Sequence, residues 1–156
     1  MTPRDLPNPD EVDDTESVYK EWDSWAQSRG SNSFKMDEVF RDLLSAARKK
    51  KTITYGDLMS KYHLPRGGTA QQNGARKSVG WVVYVVGVLA AKRLGDFQLQ
   101  LHSLAVRKSN DLPGPGFYGE DEDVKDAKDY QQACWGKIGA LSEKDFQSLL
   151  KNLKLP

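Results

Sequence analysis

The chain is poor in the residues that build covalent or metal-held frameworks. Among its 156 residues there is one cysteine, Cys134, and there are two histidines, His63 and His102. One thiol excludes an internal disulfide, and a structural zinc site would need both histidines plus carboxylates, so neither a metal nor any other cofactor is expected. Long hydrophobic runs are also scarce. The longest candidate, Val79 to Ala91, is broken by Gly80, Tyr84 and Gly87 and falls short of the ~18 apolar residues of a membrane span. No basic-then-apolar leader opens the chain, and the expectation is a cytoplasmic protein with no membrane partner. The length suits one domain, at most with an ordered tail, rather than a two-domain enzyme. With 38% hydrophobic and 29% charged residues, the chain can form a core, but a small one under a polar surface.

What is present is a segregation of charge. Residues 1–25 carry two basic and eight acidic side chains, residues 26–118 fifteen and six, and residues 119–156 six and eight, giving −6, +9 and −2. A basic module between acidic ends is the pattern of a polyanion-binding domain, because Lys and Arg supply most sequence-independent affinity for nucleic acid. The run Arg48-Lys49-Lys50-Lys51 is equally what a solvated helix C-terminus favours. Arg66, Arg76, Lys77, Arg107 and Lys108 add separate positive charge and tilt the reading towards nucleic acid.

Pro3, Pro7 and Pro9 predict a disordered or loosely held arm up to Asp14. From Thr15 or Glu16 a helix follows whose Val18, Trp22 and Trp25 form one stripe that must dock on the main domain. After a Gly30–Ser33 hinge, Ser33 is the expected N-cap of a helix burying Met36, Val39, Phe40, Leu43, Leu44 and Ala47. Lys51 to Ile53 reads as an extended link. Thr54 and Asp57 form a near capping box for a short helix from Tyr55 to Tyr62. The stretch from Leu64 through the Gly67–Gly74 segment reads as loop. A long helix from Arg76 to Arg93, stopped by Gly95, follows, with Gly80 and Gly87 on one face for close approach by another helix. Phe97 to Val106 alternates as one bulged strand or two short ones, and Lys108 to Gly119 is a turn-rich segment containing Pro113-Gly114-Pro115-Gly116. A helix around Tyr130 to Gly136 and a last helix capped by Ser142, carrying Phe146, Leu149, Leu150 and Leu153, complete the chain.

This order predicts a mainly α fold with a small β element: a winged helix-turn-helix with N- and C-terminal helical extensions. Residues 1–32 are read as acidic arm plus docking helix, 33–119 as the basic winged-helix-like core, and 120–156 as the C-terminal extension. In such a module the first residues of the second and third helices face phosphates, which free backbone N–H groups already favour. Thr54, Tyr55, Arg76, Lys77 and Ser78 occupy those places. Gln72, with Gln71 and Asn73, has the donor–acceptor pairing that reads base edges. Arg66, Arg107 and Lys108 extend the surface.

Ile53-Thr54-Tyr55-Gly56-Asp57-Leu58 and Ala75-Arg76-Lys77-Ser78-Val79-Gly80-Trp81 together resemble the DNA-binding half of alkylguanine DNA alkyltransferases and alkyltransferase-like proteins. The resemblance spans roughly residues 36 to 106. It implies minor-groove binding, an arginine finger replacing an extruded base at Arg76 (or Lys77, since the second element has one extra residue), and Tyr55 near the target phosphate. Where the family has Pro-Cys-His-Arg, this chain has Leu101-His102-Ser103, and leucine cannot replace the thiolate nucleophile that alkyl transfer needs. The stretch Leu104 to Phe117 is similar to small bacterial and phage proteins that pair a Thr-Tyr-Gly helix with a Leu-Pro-Gly-x-Gly-Phe turn.

The expected function is therefore non-catalytic binding of double-stranded DNA. One alternative is a protein-interaction module, an inhibitor or adaptor from a phage or mobile element, engaging a protein partner through its acidic ends and tryptophans. The other is an enzyme acting on nucleic acid with a pocket near His102, although a lone histidine in an apolar segment is more often a core residue. The acidic run Glu120 to Asp123 reads as solvated rather than metal-binding. The turn Leu112 to Gly119 reads as a brace pinned by Phe117 and Tyr118, or else as a wing tip.

Overall fold

The computed structural model describes residues 5–29, 34–64, 69–114 and 124–152. Arg66, Ser33, Phe117, Tyr118, Leu153 and the acidic run Glu120 to Asp123 lie outside them. The fold is mainly helical, with six helices, α1 (Thr15–Arg29), α2 (Met36–Arg48), α3 (Tyr55–Lys61), α4 (Ala70–Leu94), α5 (Val124–Gly139) and α6 (Glu143–Asn152), among the described residues. Strands β1 (Ile53–Thr54) and β2 (Ala105–Val106) form an open two-stranded sheet.

α4 is the axis of the molecule, packed by α1, α2, α3 and a single 3-10 turn over Leu101–Leu104. From Val79 to Ala91 each of its residues is buried or half-buried. Its segment Gly74–Leu94 is long and apolar enough by length and composition to cross a membrane, contrary to the expectation from the sequence, and 67% of that window is buried inside the protein. A helix enclosed by neighbours is apolar all round for that reason.

The tryptophan stripe of α1 docks as predicted: Val18, Tyr19, Trp22 and Ala26 are buried, and Trp25 meets Trp81 of α4 with centroids 5.7 Å apart. α2 buries the predicted face. Its N-cap position is Lys35, without a side-chain cap; Asp23 of α1 accepts from the Met36 N–H at 3.1 Å instead. α2, α3 and α4 all end with a left-handed residue (Lys50, φ 54; His63, φ 56; Gly95, φ 66), and the N–H that follows returns to the last turn.

The 5–14 arm is held down, unlike the loose tail expected from its prolines. Pro7 C=O accepts from Trp22 Nε1 at 2.8 Å, the Tyr84 hydroxyl donates to Asp10, and Lys92 Nζ donates to Val12 C=O at 2.5 Å. Buried Pro9 and partly buried Leu6 and Val12 give these polar ties an apolar footing.

The predicted alternating strand from Phe97 to Val106 is mostly absent. Leu99, Leu101 and Leu104 are all buried, the last two wound into the core by the 3-10 turn, and only Ala105 and Val106 are paired as strand. β2 pairs in parallel with β1, Ile53 opposite Ala105 and Thr54 opposite Val106. Gly87 does permit close approach, but by His102 of the 3-10 turn rather than by a helix, and Gly80 has open space around it.

Candidate nucleic-acid interface

The short parallel pair is what assembles the site. One residue past the last rung, Tyr55 starts α3 and Arg107 leaves β2, so the register sets them beside each other. Thr54 caps α3 as predicted, its hydroxyl oxygen accepting from the Asp57 N–H at 3.1 Å. The turn after β2 closes on itself: Arg107 N–H donates to Leu112 C=O at 2.9 Å and Asp111 N–H to Arg107 C=O at 3.0 Å. Arg107 Nη2 reaches Pro113 C=O at 3.3 Å, and Gly114 N–H donates to the Tyr55 hydroxyl at 3.0 Å. A Cβ on Gly114 would touch the Tyr55 ring at 3.6 Å. Tyr55 is thus half-buried beneath buried Pro113 and Gly114, which ties this end of the turn to α3, while Phe117 and Tyr118, the pins expected of a brace, lie outside the described residues. Arg107 is half-buried; Lys108 is exposed.

The amino end of α4 differs from expectation. The helix begins at Ala70, six residues before Arg76, because Thr69 and Gln72 form a reciprocal capping box. Thr69 Oγ1 accepts from Gln72 N–H at 3.3 Å, and Gln72 Oε1 accepts from Thr69 N–H at 3.0 Å. Gln72 therefore serves as a cap in this structure; the side chains of Gln71 and Asn73 lie outside the described residues. Arg76 and Lys77 are exposed one and a half turns or more into the helix, past the free N–H groups. Ser78 is 4% exposed and donates to Gly74 C=O at 2.9 Å, so it faces its own helix instead of a phosphate. The Thr-x-x-Gln spacing that moves the helix start was present in the sequence.

His102 is 4% exposed, its ring against Gly87 and edge-on to Tyr84 at 5.5 Å. Burial pushes its pKa down to about 3, so the imidazole is neutral near pH 7. Burial likewise pushes the Cys134 thiol up to about 12. Both groups are enclosed in the core. His63 is exposed at the end of α3. Among the described residues no group of three or more His, Cys, Asp or Glu side chains could hold a metal ion.

The acidic arm lies along α4. Lys77, Trp81, Tyr84, Val88 and Lys92 recur at helical spacing, and the arm and α1 engage three of them, Trp81 against Trp25, Tyr84 against Asp10 and Lys92 against Val12. Asp10, Glu11, Asp13 and Asp14 remain exposed on this strap. Burial, then the Asp10 carboxylate, raises the Tyr84 pKa and keeps its hydroxyl protonated. No protein-family model matches the chain, and neither a curated protein nor a solved structure shows significant similarity to it.

Proposed function

We propose that the protein binds double-stranded DNA without catalysing a reaction, using a winged helix-turn-helix arrangement. In this reading α3 and the amino end of α4 take the helix-turn-helix places, and the turn after β2 takes the place of the wing. The observation that carries it is the exposure of Arg76 and Lys77 near the amino end of α4, inside a segment of net charge +9. Exposed Lys108 and half-buried Arg107 add charge beside α3. Phosphates are the contacts these cations suit, and the engagement of Gln72 and Ser78 within their own helix favours backbone over base recognition.

The test is a fluorescence-anisotropy titration with duplex, single-stranded and structured DNA at two salt concentrations. Duplex affinity should fall steeply with salt, and Arg76→Ala should weaken it by about 1–3 kcal/mol if that side chain enters a groove. Absence of binding at low salt refutes the proposal. A second reading, engagement of a basic protein partner, is supported by the exposed acids of the arm, whereas buried Trp22 is not available to it. Nuclease-insensitive capture of a basic partner that arm substitutions abolish would favour that reading.

A further inference from the structure

We infer that Gln131 of α5 is a positioning residue for the proposed DNA contact: its buried side-chain amide fixes the turn that presents Lys108. The inference rests on the DNA-binding reading above and names a part of its machinery outside the basic module. Gln131 is 5% exposed, and its Nε2 lies 2.9 Å from Ser103 C=O and 3.3 Å from Asp111 C=O. A side-chain amide carries two N–H groups on one nitrogen, so a single neutral residue can serve both carbonyls, which a charged side chain could do only at a cost in desolvation.

The two acceptors sit at strategic points. Ser103 lies in the 3-10 turn just before β2, and Asp111 lies at the far side of the turn that β2 enters. Asp111 has φ 55, a left-handed conformation that a residue with a Cβ adopts at some cost, and the Gln131 amide on its carbonyl adds to the backbone bonds that close the turn. Side chains from two helices reach the turn: the Tyr55 hydroxyl from α3, on Gly114, and the Gln131 amide from α5, on Asp111. Lys108 stands in the chain between Ser103 and Asp111, the two carbonyls that Gln131 holds, exposed and next to Arg107. A cation held by a fixed turn loses less freedom on meeting a phosphate than one on a loose loop. Without the amide, two inward-facing carbonyls would lose a donor and the turn would lose its α5 anchor.

The experiment is a double-mutant cycle on the full chain, read by duplex-DNA titration across salt. Gln131→Met keeps volume and shape but removes both donors. It is expected to weaken binding several-fold and to lower the salt slope by about one, as loss of one phosphate contact does. Lys108→Ala should do the same, and the double variant should bind no more weakly than Lys108→Ala alone. A purely structural role would lower the melting temperature and leave the salt slope unchanged. Gln131→Asn, which keeps the amide but withdraws it by one methylene, is the second variant should Met fail to fold, and the same outcome is expected. Unchanged binding by the Gln131 variants, additive effects, or no effect of Lys108→Ala while the wild type still binds overturns the inference and leaves the DNA reading standing. A wild-type chain without duplex affinity overturns both.

Discussion

Alanine at Gly80 and at Gly87 should change stability in opposite directions, although both positions lie inside α4 and seven residues apart. An interior Gly→Ala change favours a helix by roughly 1 kcal/mol through backbone entropy. At Gly80 a Cβ meets nothing within 4 Å, so Gly80→Ala should raise stability by up to that amount. At Gly87 the same Cβ would lie 1.9 Å from Nδ1, 2.6 Å from Cγ and 2.9 Å from Cβ of His102. That neighbour is not a flexible tip: the ring is 4% exposed and is held edge-on by Tyr84. Relief requires moving the 3-10 turn or the helix, so the overpacking cost belongs at or above the upper end of the usual ~1–3 kcal/mol. Against the ~1 kcal/mol propensity gain, the net is a loss of about 2 kcal/mol or more. Urea denaturation of the two variants, read by midpoint at unchanged m-value, measures the difference. A Gly87→Ala protein as stable as Gly80→Ala would show that His102 does not pack on α4, and the description of the core around it would be wrong.

Three further outcomes follow from buried and docked groups. Because His102 is neutral in the fold down to about pH 3 while the unfolded chain protonates it near 6.5, the unfolded state binds more protons between those values. Stability should therefore fall with pH below 6.5 at up to ~1.4 kcal/mol per unit, and a folded His102→Leu variant should flatten that slope in equilibrium unfolding at pH 5–7. Cys134, buried and with its thiol pushed up to about 12, should resist alkylation at pH 8 in the folded protein and react on unfolding; rapid native labelling would contradict its placement. Neutralising the strap by Asp10→Asn, Glu11→Gln, Asp13→Asn and Asp14→Asn should raise duplex affinity at low salt and lose that advantage at about 0.5 M, since exposed charges act through solvent and salt screens them. An affinity unaltered at low salt would remove the arm from the electrostatics of the site.

Local periodicity and capping made the helices legible. The stripe of α1, the buried face of α2, Thr54 capping α3, Gly95 stopping α4 and Ser142, whose hydroxyl accepts from Asp145 N–H at 3.1 Å, all depend on neighbours three or four residues away, which any helix brings together. The start of α4 was equally local, yet Gly74 and the polar residues around it resembled a loop more than the Thr69–Gln72 box resembled a cap. Leu99, Leu101 and Leu104 were misleading for a different reason: alternation signals a strand only when the residues between face water, and here Gln100, His102 and Ser103 are buried as well.

Sequence by itself thus determined the helical content, the basic middle and the exclusion of an internal disulfide, because composition and short spacings are properties of the chain. Tertiary structure alone decided that Tyr55 lies under Gly114, that the arm straps α4 at Tyr84 and Lys92, and that Gln131 ties α5 to the Asp111 turn. Those contacts join residues 20 to 80 positions apart, and no local pattern encodes them. They exist because a short parallel rung and one enclosed helix bring distant segments to the same place, where buried donors and acceptors must find partners.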